Sequence, residues 1–402
     1  MRNSTVRAVN RLTARWAAAA GSGGEAGTVF TAAGVWPLLA LLADGAAGAA
    51  RTELAGALGT PAGEAAPAAR ELLSALGSVR GLRSATGLWG REDLPLEPGW
   101  SAELPPGARG TLTGDADRDR AALDAWAAAH TDGLIDRMPV ALPEGPDAVH
   151  LVLASALALR LKWIRPFDEG FGEAHEGPWA DRPLLMLHRH TALLDRVKVA
   201  RGTAGAVTLL EVVGDDGVDV HLVLGEPEAR LGEVLTTGIE AVTRDRPATG
   251  VSRLPDGNPG PGLFVDSVRS HSPEPRLSIE TAAFEVNAEH DLLEQARVFG
   301  LETATGRRSG HFPGISPEPL AVGSARQTAL ARFHAEGFEA TAVTAVGAFA
   351  GGVAAMPRER DRTRRAEVYF HRPFGFLAVH RASRLVLAAG WVTDPVAYPD
   401  GP

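Results

Sequence analysis

Val6, Val9, Leu12 and Trp16 recur at helical spacing, so the chain opens on an amphipathic helix. PLLALLA begins at Pro37 and RTELAGAL ends at Gly59; the proline fits an early helical position and the glycine a cap, which predicts helix through 37–58. LDAWAAAHTDGLIDRM (123–138) reads as a helix bent at its exit by glycine. At 149–163 the period changes to two: Leu151, Leu153, Leu157, Leu159 and Leu161 fall in step, which predicts a central strand. SATGLWGR (84–91) reads as a strand, and VTLLEVV and VDVHLVLG, joined by GDDG, as a hairpin. RLSIETAAFEV (276–286) alternates as a strand does, HDLLEQARVFGL (290–301) reads as a short helix, and residues 367–395 as two or three short strands. Residues 21–27 and 244–263, rich in glycine or proline, read as loops. Helices come first and strands later, with no βαβ rhythm and no internal repeat. That order predicts one α+β unit on mixed or antiparallel sheets.

One segment resists this scheme. EGFEATAVTAVGAFAGG (336–352) has the small residues of neither a bulky buried strand nor a polar loop. Read as a strand, it puts Phe338, Ala340, Ala342, Thr344, Val346, Ala348 and Ala350 on one face. From Ala340 onward that face is small throughout, so it would enter a packed sheet with little steric cost. Glu339 falls on the other face, where it stays in water.

Composition removes several classes of function. There is no cysteine, which excludes disulfides, thiolate catalysis and cysteine metal sites. Net charge is −9, against a basic nucleic-acid surface. No apolar run is long enough for a membrane span, and Arg11 and Arg15 interrupt any secretory leader. The expected location is therefore cytoplasmic, with an extracellular one as the alternative. Nearly all basic residues are arginine, only Lys162 and Lys198 being lysines, so arginine abundance is read as coding bias and not as phosphate binding.

Catalytic chemistry is missing. No nucleophile elbow and no phosphate-binding loop appears. His188 and His190, with His175 upstream, lack a third ligand and a supporting shell, and read as solvent-facing. Glu211 and Glu285 are single strand carboxylates, and Asp215 and Asp216 sit in a turn. The charge run PRERDRTRR (357–365) reads as a solvated loop. The expectation is no enzyme, no catalytic residues, no cofactor and no metal.

The odd segment and several others together resemble the serpins. DAWAAAHTDGLI (124–135) keeps Trp126, Thr131, Gly133 and Ile135 of the family's N-x-W-V-x-x-x-T-x-G-x-I, with Asp124 at the Asn position. LASALALRLKWIRPF (153–167) is similar to the strand ending K-W-x-x-P-F, and EGFEATAVT (336–344) to the loop hinge E-G-T-E-A-A-A-A-T. TVFTAAGVWPLLALLADGAAGAARTELAGALG (28–59) resembles the first buried strand and helix pair, and HRPFGFLAVH and GWVTDP the terminal strands. The resemblance implies a single domain over 5–396, with tails 1–4 and 397–402, an exposed reactive-centre loop over about 336–366, and about nine helices and three β-sheets.

The function this resemblance implies is serine-type endopeptidase inhibition by suicide. The protease attacks the loop and forms an acyl-enzyme, and the loop then inserts into the main sheet. The hinge would be Glu336, Gly337, Phe338, Glu339, Ala340, Thr341, Ala342 and Thr344. Counting from Gly337 to where relatives are cut lands on Gly351–Gly352, flanked by Phe349, Ala350 and Val353. Those neighbours fit an elastase-, chymotrypsin- or subtilisin-like target bound by a monomer, with no nucleic-acid or membrane partner. The strand-opening region would be Gly34, Ser155, Trp163 and Gln327, the first, second and fourth standing where the family has Ser, Asn and His. Phe338 replaces the usual Thr or Ser, and a bulky ring there is expected to slow insertion. The alternative is a non-inhibitory serpin, a binding, carrier or chaperone-like protein whose loop is cut without trapping the protease.

Overall fold

Leu151–Leu159 is the middle strand of the central sheet, and all nine of its residues are buried. It pairs antiparallel with Leu82–Arg91 on one side and parallel with Val322–Phe333 on the other. Arg109–Leu112 and Phe284–Asp291 extend the sheet outward. A strand with a parallel neighbour needs both faces covered. Leu151, Leu153, Leu157 and Leu159 face the main core with the helices α2 (Ala32–Asp44) and α4 (Ala62–Gly77). Val152, Ala154 and Ala156 face a second cluster with Leu123 and Ala127 of α6 (Ala116–His130). The leucine–alanine alternation thus separates a deep layer from a thin one. The computed structural model describes residues 1–20, 26–140, 142, 151–174, 177–306, 310–338 and 361–399.

Two further sheets complete the architecture. One has seven strands in the order Thr28–Phe30, Leu385–Val392, Phe374–His380, Val218–Leu224, Gly205–Val213, Val197–Gly202, Ala248–Gly250. The other has six, in the order Gly257–Gly260, Leu263–Ser270, Asp361–Phe370, Arg276–Ala282, Pro183–Thr191, Asp168–Glu173. Besides α2, α4 and α6, the described helices are α1 (Asn3–Ala20), α3 (Gly48–Leu58), α5 (Pro98–Ala102), α7 (Leu231–Thr243) and α8 (Ala296–Phe299). None is long and apolar enough to cross a membrane.

The Trp–Thr–Gly–Ile spacing in α6 has a local cause. The Thr131 hydroxyl donates to Ala127 O (2.7 Å) and accepts from Ile135 N (3.0 Å), and Asp132 and Gly133 turn the chain at φ 54° and 76°. Asp124 Oδ1 accepts from Met138 N at 2.7 Å, so the aspartate latches the exit segment under the helix.

The structure differs from the sequence-based expectation in five places. α2 starts at Ala32, because the Thr31 hydroxyl caps it by accepting from Gly34 N, and Pro37 lies inside it. α4 has an alanine-rich buried face that apolar spacing underweights. Residues 284–291 form a strand, so the expected helix over 290–301 shrinks to α8. Residues 244–263 are not one loop: they carry the short strands Ala248–Gly250 and Gly257–Gly260 and end where a third, Leu263–Ser270, begins, which pairs with Asp361–Phe370 over eight positions. Finally, residues 361–366 belong to that strand and not to an exposed loop. Arg364 donates to Val251 O and Leu254 O, and Arg365 grips Asp266 through two bonds of 3.0 and 2.6 Å. The charge run is ordered by the acceptors facing it.

Candidate functional site

After Phe333 the chain turns through His334, Ala335 and Glu336 and comes back as a two-residue strand, Gly337–Phe338. It runs antiparallel to both neighbours: Phe338 pairs with Phe333 on one side and Leu161 on the other. Gly337 is required there, since a Cβ would lie 2.3 Å from Leu161 O. The turn is tied to the K-W-x-x-P-F segment: Trp163 N donates to Glu336 O (3.0 Å), Phe167 N to Ala335 O (2.9 Å) and Trp163 Nε1 to His334 O (2.8 Å). Glu336 itself is exposed.

Phe338 is 1% exposed. Its ring lies 6.0 Å from Phe376, in an aromatic cluster where Phe333 touches Trp163 (4.8 Å) and stacks on Phe284 (5.3 Å, 16°). The Arg189 guanidinium sits 4.1 Å over Phe167, and burial lowers its pKa to about 10. The phenyl ring expected to obstruct insertion is therefore already seated at the end of the sheet.

Six rows down the strand pair lies a polar row. Register aligns Thr86, Ser155, Gln327 and His290 across four adjacent strands. Three of the expected strand-opening residues meet here: a Cβ on Gly34 would lie 2.5 Å from Ser155 Oγ and 3.8 Å from Gln327 Nε2. Gln327 does not bond to Ser155. Its Oε1 accepts from Thr31 N (2.8 Å) and its Nε2 donates to Thr31 O (2.9 Å), fastening the Val322–Phe333 strand to the start of α2. Ser155 is fully buried, and its hydroxyl, like that of Thr86, has no hydrogen-bond partner. His290 Nε2 donates to Val29 O at 2.8 Å; burial lowers its pKa, so the ring is a neutral donor. Among the described residues, the seam between the two parallel strands is thus held by backbone pairing without a side-chain bond in this row. Trp163 belongs to the hinge cluster and not to this row.

Thr31, Thr86 and His290 are absent from the sequence-based set. Thr31 carries a signal, a hydroxyl just before a long apolar run, whereas His290 and Thr86 join the row only through the register of distant strands. Glu339, Ala340, Thr341, Ala342, Thr344, Phe349, Ala350, Gly351, Gly352 and Val353 lie outside the described residues, as does His175. His188 is not solvent-facing as expected: its Nδ1 lies 3.4 Å from Glu280, whose other oxygen is 2.7 Å from His371. Among the described residues no group of acidic or histidine side chains is arranged to hold a metal.

Residues 9–176 and 265–395 match the family model described as serpin (serine protease inhibitor). The chain is a serpin. It is similar over its length to putative serpin-Z6C of Oryza sativa subsp. japonica, with 26% identity covering 96% of this chain and 95% of that one. Human thyroxine-binding globulin complexed with thyroxine shares the fold at TM-score 0.71 and 15% identity, over 98% of each chain. So does Serpin48 of the insect Tenebrio molitor, at TM-score 0.67 and 18% identity, over 97% and 98% of the two chains. In this serpin the parallel strands of the central sheet are paired directly with each other, and the short strand Gly337–Phe338 lies beyond one end of that pairing.

Proposed function

We propose that this serpin inhibits a serine endopeptidase as a suicide substrate. The protease serine attacks a loop carbonyl, the amide bond breaks, and the acyl-enzyme is carried along as the loop inserts between Leu151–Leu159 and Val322–Phe333. The observation that carries the reading is the seat of Phe338. Gly337–Phe338 is already a strand antiparallel to both flanking strands, so insertion elongates an existing strand and needs no new nucleus.

Extending the register supports this. With Phe338 opposite Phe333 and Leu161, an inserted strand would set Ala340 opposite Ala331 and Leu159, and Ala342 opposite Ala329 and Leu157. Thr344 would fall opposite Gln327 and Ser155, inside the polar row, where its hydroxyl could pair with the unpartnered Ser155 Oγ. Insertion breaks the direct parallel pairing of these two strands and replaces it with two antiparallel ladders, and each backbone bond gained on balance contributes about 0.5–1.5 kcal/mol to drive it.

Phe349 and Ala350 beside Gly351–Gly352 favour an elastase-, chymotrypsin- or subtilisin-like target. The inhibitor acts as a monomer, without cofactor, nucleic acid or membrane, in the cytoplasm or, alternatively, outside the cell. The test is incubation with chymotrypsin, elastase and subtilisin, followed by a denaturing gel and a count of remaining protease activity. An SDS-resistant adduct with stoichiometric loss of activity is expected. Cleavage between residues 349 and 353 by all three, with no adduct and full activity, overturns the proposal. It would favour the second reading, a non-inhibitory binding or carrier serpin, which the shared fold with a thyroxine complex supports.

A further inference from the structure

The strand that follows the loop, Asp361–Phe370, begins with an arginine that nothing holds. Register sets Arg362 directly opposite Arg269 of Leu263–Ser270, and both residues are exposed. Like charges directly opposite each other on paired strands are destabilising. The neighbouring arginines are neutralised: Arg364 by Asp256 at 3.1 Å, and Arg365 by its two bonds to Asp266. Arg269 and Arg362 form no ion pair among the described residues. Alternation places both on the face of Val265 and Ala366, past the end of the buried core, whereas Asp361, Asp266 and Glu367 fall on the other face. Two cations thus stand together on a face where the paired strands supply no acid to balance them, in a chain of net charge −9. A carboxylate from outside would relieve their repulsion.

An exposed apolar residue lies at the same end of this sheet. Thr191 pairs with Leu277, and Arg276 with Arg365, so the ends of Pro183–Thr191, Arg276–Ala282 and Asp361–Phe370 come together there. Leu193, two residues past Thr191, is 53% exposed, and together with Pro275 it lines a cavity of about 440 Å³. Counted in strand spacings and residue rises, Leu193 is roughly 10 Å from Arg362. An apolar anchor beside arginines is the composition of a protein-binding surface. Its position says which protein. Nine residues separate Gly352 from Arg362, so a protease holding Gly351–Gly352 is at most about 35 Å of chain away. A protease domain is itself roughly 45 Å across, and so it must overlie this end of the sheet.

We propose that Arg269, Arg362 and Leu193 form a docking surface for the target protease, and that the protease presents to it an acidic patch with an apolar side chain alongside. The proposal rests on the reading of the loop as protease bait and adds the surface charge of the protease that takes it. Paired charges of this kind act on the rate of encounter and on orientation. The rest of the chain, being acidic, repels such a protease, so the arginine pair also selects the approach that brings the loop to the catalytic serine.

The probes are chymotrypsin and chymotrypsin succinylated on its lysines, which share an active site and differ in surface charge. The rate of loop consumption is measured at low salt, counting adduct and cleaved chain together, so that a failure of trapping leaves the readout intact and shows separately as missing adduct. The succinylated enzyme is expected to consume the loop at least fivefold faster than the unmodified one, where net charge alone predicts the reverse. That ratio should fall below twofold in the double variant Arg269→Gln/Arg362→Gln and at high salt, and Leu193→Ser should slow the succinylated enzyme several-fold. The melting temperature of each single arginine variant should not drop, since removing one of two like charges costs the fold nothing. No advantage for the succinylated enzyme, an advantage that survives in the double variant, an unchanged rate with Leu193→Ser, or a lowered melting temperature would overturn the proposal. So would saturable heparin binding at the pair without any rate advantage, which would assign it to a polyanion.

Discussion

Replacing Phe338 by alanine separates a hinge that is already seated from one that must enter during inhibition. The ring is 1% exposed and packs 6.0 Å from Phe376. Removing a buried phenyl ring costs about 3–5 kcal/mol. The lower end applies to the intact protein, because a two-residue strand can leave the sheet and so avoid a cavity. In the loop-cleaved protein the inserted ladder would hold position 338 in place, and the cost there is again at least about 3 kcal/mol. Both forms should therefore lose similar stability, and the gain on cleavage should change by no more than about 1 kcal/mol. Urea unfolding of intact and loop-cleaved F338A, followed by tryptophan fluorescence and circular dichroism, measures both. The number of inhibitor molecules consumed per protease should not fall, since the ring is in place before attack. An intact form that keeps its stability while the cleaved form loses it, or a sharp fall in that number, would refute the reasoning.

Gly34→Ala should destabilise by about 1–3 kcal/mol, because its Cβ would meet Ser155 Oγ at 2.5 Å; adding Ser155→Ala should restore most of the loss, and a double-mutant cycle in urea reads the coupling. Glu280, beside His188 and then His371, has its pKa lowered to about 2, so its contribution is complete above its ordinary value near 4.5 and lost as pH falls towards 2. His188 is raised by the Glu280 carboxylate, so its contribution is complete below its ordinary 6.5 and lost as pH rises through the raised value. Stability from this cluster should peak between those limits, and Glu280→Gln should flatten both arms of a denaturation-midpoint profile against pH. Asp266→Ala should cost about 1 kcal/mol or less, but by loosening the strand that covers Asp361–Phe370 it should speed oligomer formation on warming, measured by size exclusion.

The central strand was readable from leucines at every second position, because burial on a pleated face imposes that period on the sequence itself. The helix exit at Thr131–Gly133 was readable as well, since it depends on a hydroxyl and a glycine within a few residues. Boundaries were less so. Ala248–Gly250 and Gly257–Gly260 are poor in strong strand formers and become strands because Val197–Gly202 and Leu263–Ser270 offer them partners, and Arg364 and Arg365 look like a solvated run until Leu254 and Asp266 stand opposite them.

The sequence by itself determined the α+β class, the order of motifs and the small residues at alternate positions from Ala340 to Ala350, all of which follow from local spacing and side-chain size. Only the tertiary structure decided that Phe338 is inside the sheet, that Gln327 holds Thr31 and leaves Ser155 alone, and that His290 completes their row. Those outcomes depend on register between strands far apart in the chain, and register is set by how whole layers pack, which no single segment encodes.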